Sequence, residues 1–491
     1  MSMTTTTTAT TSWITVTCTT PGCCGPAIPT PNEHGSEVVA MQQTEKSNSI
    51  SRLIPAPTAL VLQELFQTVL HIPSNLSQLV SAIWLHFSYQ PKKPLWNIQQ
   101  TVVMAILQAL RDHSLTNSLE FWRVMLIFPT WLRPLTSKTQ DGSFRVHPRN
   151  LRGILQQLDK NEDGSRILDA EWMSAGTIWN RCQSIFSGKK KLEDFDLEEQ
   201  EQIQRICQHR NEGTTAVVPR ARSPEKIVLY FHGGAYCAMS AQSHRTLTHK
   251  ISRATGRRIF AVNYRLAPET RFPGALYDAV QAYLYLTDTD HGCHFDPKNI
   301  LIMGDSAGGG LSLALMLYIR DHGLPQPEGA VLLSPWVDLT FSYPSWKEAS
   351  VYDYLPSNPG TLKAMNPAHL YIGPEQPLEM VRHPYVSPIF AENFEYLPPI
   401  LIQSGACESL RDEIHALAEK IGATKTSLVY HEVYQDMVHV FQAFPFAKSA
   451  EAIDSIGWWS RFVIPMISQW QARGQIPSAS SPPSAKTFPL H

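Results

Sequence analysis

Downstream of about residue 217 the chain alternates short apolar runs with longer stretches of helical period. The apolar runs fall at 227–231, 258–263, 300–303, 330–334, 400–403 and 427–433. Most are continuous rather than alternating, which is how strands read when both faces of a sheet are buried. Their alternation with helices predicts an α/β fold with a mostly parallel sheet covered by helices on both faces. Reactive groups in such sheets collect at the carboxyl ends of the strands. Upstream the texture differs. Segments 58–72, 76–87, 101–110 and 119–132 carry apolar residues at helical spacing and predict helices that bury one face, packed as an N-terminal cap. None reaches the roughly 18 to 20 apolar residues of a membrane span. Glu64, His71, His86, Arg111 and Arg123 interrupt them. The Trp- and Phe-bearing piece 81–87 suits either a cover over a site or contact with a membrane surface; with no basic face beside it, the packed cap is the expectation.

Composition sets the outer limits. Residues 1–55 open on a threonine run with little to build a core, and 473–491 are rich in Pro and Ser, so both are expected to be disordered tails. The charge run at 189–201 reads as a solvated helix or linker near the end of a cap region at 56–215, ahead of the main α/β domain at 216–472 with an insertion at 341–391. A formal net charge of -2 over 491 residues provides no field to draw in nucleic acid, and an uncharged or apolar small molecule is the expected partner. Eight cysteines lack a repeating spacing, Cys18, Cys23 and Cys24 have no companion ligands, and the start of the chain lacks a basic-then-apolar leader. A reducing, cytoplasmic setting is expected, which makes the glycosylation triplet at Asn75 a chance match. Asp159 to Gly164 begins like a calcium loop, but Ala170 stands where the bidentate carboxylate belongs and Arg166 where an apolar residue belongs. It reads as a polar turn before a helix.

The chemistry gathers around Gly304-Asp305-Ser306-Ala307-Gly308, between an apolar strand and an apolar helix. Gly-x-Ser-x-Gly in that context is a strand-to-helix turn that exposes a nucleophilic serine, here Ser306. His232-Gly233-Gly234 follows the strand at 227–231, and amides of a glycine turn can approach a developing oxyanion closely. Gly233, Gly234 and Ala307 are the expected donors. A serine hydroxyl needs a base, and the base needs a carboxylate to orient it. His439 lies in the loop after the last strand, whereas His415 falls in a helical run and His431 in a strand. The acid should follow the strand at 400–403, where Glu408, Asp412 and Glu413 are available. Glu408 is nearest the strand end; Asp412 and Glu413 suit the first turn of the next helix.

Four segments in order carry a family resemblance: His232-Gly-Gly-Ala-Tyr236; Asn263-Tyr-Arg-Leu-Ala-Pro-Glu269 with Phe272-Pro-Gly-Ala-Leu276; Gly304-Asp-Ser-Ala-Gly-Gly309; and Ser334-Pro-Trp-Val-Asp338. From about 227 to 441 the chain resembles the hormone-sensitive-lipase group of α/β hydrolases. The resemblance implies an α/β-hydrolase fold and a cofactor-independent serine esterase or deacetylase. It favours short acyl groups, acetyl above all, on a hydrophobic alcohol such as a sterol or secondary metabolite. Tyr264 to Glu269 and Trp336 to Asp338 carry over as architectural or pocket-shaping segments. Two positions depart from the family pattern: Glu408-Ser409 replaces Asp-Pro, and His439-Val440-Phe441 replaces His-Gly-Phe. The competing readings are a non-catalytic ligand-binding member of the same fold and a membrane-associated lipase.

Overall fold

A computed structural model describes residues 7–8, 11–12, 59–114, 117–131, 138–175, 191–194, 200, 225–357 and 366–473. The expected C-terminal tail past Arg473, and most of the N-terminal tail and charge run, lie outside them. The chain forms two compact units, Met1–Thr58 and Ala59–His491. In the first, Thr7–Thr8 pairs antiparallel with Thr11–Ser12.

The second unit is built on an eight-stranded sheet. In chain order its strands are β1 (Lys138–Asp141), β2 (Ala170–Ser174), β3 (Ile227–Phe231), β4 (Arg258–Val262), β5 (Ile300–Asp305), β6 (Gly329–Leu333), β7 (Ile400–Gly405) and β8 (Val429–Tyr434). Across the sheet the order is β8-β7-β6-β5-β3-β4-β2-β1. The pairs from β8 to β4 are parallel, and β4-β2 and β2-β1 are antiparallel. Side chains of a strand point alternately to the two faces, and here each face meets its own core. Ile227, Leu229, Phe231, Ile300 and Ile302 join one cluster, with Leu276, Val280, Leu311 and Leu315 from helices α6 (Gly274–Thr287) and α7 (Ala307–Asp321). Val228, Tyr230, Leu301 and Met303 join the other, with Leu247 and Ile251 of α5 (Arg245–Thr255) and Ile456 and Trp459 near the C-terminus. Two buried faces explain why these strands read as unbroken apolar runs.

The upstream helices are α1 (Ala59–Leu70), α2 (Ile72–Ser88), α3 (Ile98–Ser114) and α4 (Leu119–Trp131), close to the segments their periodicity predicts. Among the described residues no helix is long and apolar enough to cross a membrane. Residues 138–175 differ from the expected helical cap: they supply β1 and β2 and extend the core sheet. The polar turn at Asp159 also differs in placement. It follows a short helix, Gln156–Lys160, and leads into strand Ile167–Leu168 rather than into a helix. The Asp159 carboxylate accepts the N–H groups of Arg149 and Leu151.

Candidate active site

Strand β5 ends at Asp305 and helix α7 begins at Ala307, so Ser306 alone makes the turn. Its φ of 52° and ψ of -121° lie where a side chain is strained. Three main-chain bonds hold it: Ser306 N–H donates to Leu333 O at 2.9 Å, and Ser306 O accepts from Trp336 at 2.9 Å and Gly310 at 3.1 Å. The flanking glycines let strand and helix close on one another. A Cβ on Gly304 would lie 2.3 Å from Gly308 O, and one on Gly308 would lie 2.1 Å from Phe231 O.

Behind the turn, Asp305 ties the elbow to the loop after β3. Its Oδ1 accepts the Tyr230 hydroxyl and the Gly233 N–H, and its Oδ2 faces His244 Nε2 at 3.3 Å. Burial alone pushes the Asp305 carboxyl up, yet the His244 and Tyr230 contacts outweigh it and leave the group below its ordinary value. The partner effect on His244 is the mirror image: burial lowers it, the Asp305 charge outweighs burial, and the ring is raised. His232 stacks on Tyr264 with centroids 4.3 Å apart, and the Tyr264 hydroxyl donates to His232 O at 2.7 Å. Burial lowers His232 to about 3, so it is a neutral packing element.

This network corrects one expectation. The Gly233 N–H points at Asp305 Oδ1, 3.1 Å away, and is not available to an oxyanion. Among the described residues, no acceptor meets the N–H groups of Gly234, Ala235 or Ala307. The last opens helix α7, whose first amides lack intrahelical partners and carry the positive end of the dipole. Ala235 was not among the expected donors. The clue in the sequence was its place next to Gly234, but only the tertiary bond to Asp305 removes Gly233 from the set.

His439 comes down beside the elbow from the loop after β8, with Nε2 at 2.9 Å from Ser306 Oγ. Burial lowers its imidazole to about 4, so near neutral pH the ring is uncharged and able to accept a proton. Of the three candidate carboxylates, Glu408 is the one brought to His439, Oε2 lying 3.9 Å from Nδ1. Oε2 accepts the Ser334 hydroxyl at 2.6 Å and the Gly405 N–H at 3.2 Å. Glu408 Oε1 and His439 Nδ1 are both buried and meet no other partner among the described residues. Burial pushes the Glu408 carboxyl well up, nearby Asp353 adds to this, and the Ser334 and Gly405 bonds oppose it.

The other two carboxylates are engaged elsewhere. Asp412 accepts Ser345 N–H at 3.0 Å and pairs with Arg411. Glu413 accepts the N–H groups of Val337 and Asp338 and the Trp346 indole. Both lie in the first turn of α8 (Arg411–Ala423), as expected. His415 sits within α8, and His431 on β8 contacts Ser404.

The surroundings are aromatic and tied to the upstream helices. Tyr236 stacks on Tyr371 of the 341–391 segment at 3.9 Å, and Trp336 on Phe341 at 5.7 Å. Arg123 of α4 donates to Cys237 O at 2.8 Å and Ala267 O at 2.9 Å and pairs with Glu269. Trp96, just before α3, donates its indole N–H to Asp436 O at 2.7 Å in the loop that carries His439. A fold that brings a strained serine, a neutral histidine and a buried carboxylate together offers nucleophilic chemistry.

Comparison with known proteins agrees. Residues 228–443 match the family described as alpha/beta hydrolase fold. An acetyl-hydrolase of Streptomyces hygroscopicus is 37% identical over 228 residues, 46% of this chain and 72% of the relative. A putative acetyl-hydrolase of Mycobacterium tuberculosis is 31% identical over 264 residues, 53% of this chain and 80% of the relative. Among solved structures, an esterase from the bacterial hormone-sensitive lipase family superposes with a TM-score of 0.53 at 27% identity, covering 75% of this chain and 99% of that one. With the elbow geometry and the sheet order, these similarities establish that the chain belongs to the hormone-sensitive-lipase group of α/β hydrolases and is a carboxylic ester hydrolase of the esterase type.

Proposed function

We propose that Ser306, His439 and Glu408 act as a catalytic triad that hydrolyses short-acyl esters, acetates above all, of a hydrophobic alcohol such as a sterol or secondary metabolite. The observation that carries the reading is the 2.9 Å contact between His439 Nε2 and Ser306 Oγ on a strained elbow. Ser306 Oγ attacks the ester carbonyl carbon as its proton passes to Nε2. The carbonyl electron pair moves onto oxygen, and the N–H groups of Gly234, Ala235 and Ala307 stabilise that oxyanion, each donor worth about a hundredfold or more in rate. Collapse re-forms the carbonyl and breaks the bond to the alkoxy oxygen, which takes the Nε2 proton and leaves as the alcohol. Water repeats the sequence on the acyl-serine and releases the acid. Glu408 keeps Nδ1 protonated and stabilises the imidazolium. The acetyl preference rests on the acetyl-hydrolases among the relatives. The apolar alcohol is supported by the aromatic side chains of Tyr236, Trp336, Phe341 and Tyr371 near the elbow.

The test is hydrolysis of p-nitrophenyl esters from acetate to palmitate by the parent and by Ser306→Ala. The reading requires turnover highest on short chains and abolished in the variant; serine-independent turnover, or none by a folded parent, sinks it. A second reading, work at a lipid surface, is favoured by the exposure of Val80, Trp84 and Phe87 on α2. Flotation with liposomes separates the two, since a protein that stays with the aqueous fraction does not need lipid to reach its substrate.

A further inference from the structure

A buried carboxylate outside the candidate triad lies between the loops that carry Glu408 and His439. Asp353 belongs to the 341–391 segment, far in sequence from the elbow, and its side chain is fully buried. Its oxygens accept three backbone N–H groups from two other parts of the chain and its own. Oδ2 takes Ser409 N–H at 2.7 Å, the residue after Glu408; Oδ1 takes Tyr354 N–H at 2.8 Å and His439 N–H at 3.3 Å. The next residue completes the grip, since the Tyr354 hydroxyl donates to His439 O at 3.0 Å. Both main-chain polar groups of His439 are therefore held by residues 353 and 354.

We infer that Asp353 is a positioning residue of the hydrolytic reaction, its carboxylate bridging the loop that carries Glu408 to the loop that carries His439. The inference rests on the proposed triad. Three observations support it. First, the bridge spans the gap within the triad where a hydrogen bond is not closed, the 3.9 Å between Glu408 and His439 Nδ1. Loop placement on either side sets whether that gap closes during turnover.

Second, the bridge is held from outside. Gln108 of α3 donates to the carbonyls of Val351, Tyr352 and Asp353, and Arg111 to those of Ser350, Asp353 and Leu355. The helices ahead of the core thereby brace the segment that braces the site.

Third, the arrangement is unfavourable for stability. Among the described residues no cationic side chain forms an ion pair with the Asp353 carboxylate, and burial pushes it up to about 6 in spite of the three N–H groups. A neutral side chain would avoid that penalty, so the charge has a role that packing alone does not explain.

An amide at this position retains one acceptor oxygen but presents an NH2 group to a backbone N–H, so one loop is released while side-chain volume is kept. The experiment compares kcat, KM and melting temperature of the parent, Asp353→Asn, Gln108→Leu and Ser306→Ala on p-nitrophenyl acetate. Asp353→Asn is expected to lower kcat by about tenfold to a hundredfold with KM little changed, since misplacement of about 1 Å is enough for such a loss. Its folded fraction at assay temperature should equal the parent's. A kcat within about threefold of the parent overturns the inference, as does a loss that merely follows the folded fraction. Should Asp353→Asn not fold, Gln108→Leu loosens the same segment without touching the carboxylate; a lower kcat at constant KM supports the bridge, and unchanged kinetics refute it. Full activity in Ser306→Ala would dismiss the triad itself. An inactive Ser306→Ala beside an unimpaired Asp353→Asn would dismiss only the bridge.

Discussion

Replacing Glu408 by Gln tests which carboxylate serves His439. The Glu408 side chain is fully buried, and its Oε2 is held by Ser334 and Gly405. In Glu408→Gln the amide oxygen that keeps the Ser334 and Gly405 bonds is also the atom that faces His439 Nδ1, and the NH2 group takes the place of Oε1. The acceptor facing Nδ1 is kept but its charge is lost, so the imidazolium that forms when His439 takes the Ser306 proton is no longer stabilised. Triads deprived of their acid lose about 10⁴ in kcat, equivalent to about 5.4 kcal/mol of barrier. Folding should survive, because a neutral amide avoids burial of a charge whose pKa burial already pushes well up. Asp412→Asn is the control: that carboxylate is partly exposed and engaged with Arg411 and Ser345, so kcat should stay within about threefold. The assay is steady-state hydrolysis of p-nitrophenyl acetate at pH 8, with circular dichroism to confirm the fold. A Glu408→Gln variant within about tenfold of the parent, or a larger loss in Asp412→Asn, would refute the reasoning.

Other outcomes follow from the same contacts. Gly308→Ala sets a methyl 2.1 Å from Phe231 O, a backbone atom that cannot yield, so a loss of about 3 kcal/mol or more is expected in urea unfolding; a variant as stable as the parent would show that the elbow is looser than described. Burial raises Asp353 from an unfolded value near 3.8 to about 6, so its contribution to stability is fully present below the unfolded pKa and is lost as pH rises through 6. Relative to Asp353→Asn, the parent should therefore gain up to about 3 kcal/mol as pH falls from 7 to 4; a difference independent of pH would contradict this. Trp96→Phe leaves Asp436 O without the 2.7 Å indole bond and should lose about 1 to 3 kcal/mol in thermal unfolding.

Much of this protein was legible from local pattern. Buried parallel strands need apolar residues on both faces, so 227–231 and 300–303 announce themselves as runs, and the elbow needs small residues beside Ser306, so its position is readable too. Helices α1 to α4 follow from apolar periodicity for the same reason. Strand β1, with the sequence Lys-Thr-Gln-Asp, is polar and short, and it exists because β2 offers it an edge; no local pattern marks it.

The site divides in the same way. Ser306 and His439 were set by their places at strand ends. Tertiary structure decided the rest: that Gly233 donates to Asp305, that Glu408 rather than Asp412 or Glu413 approaches His439, and that Asp353 joins two loops. A side chain's rotamer and a turn's backbone depend on near neighbours. The partner of a buried N–H or carboxylate depends on which distant segments the fold brings within about 3 Å, and that is a property of packing alone.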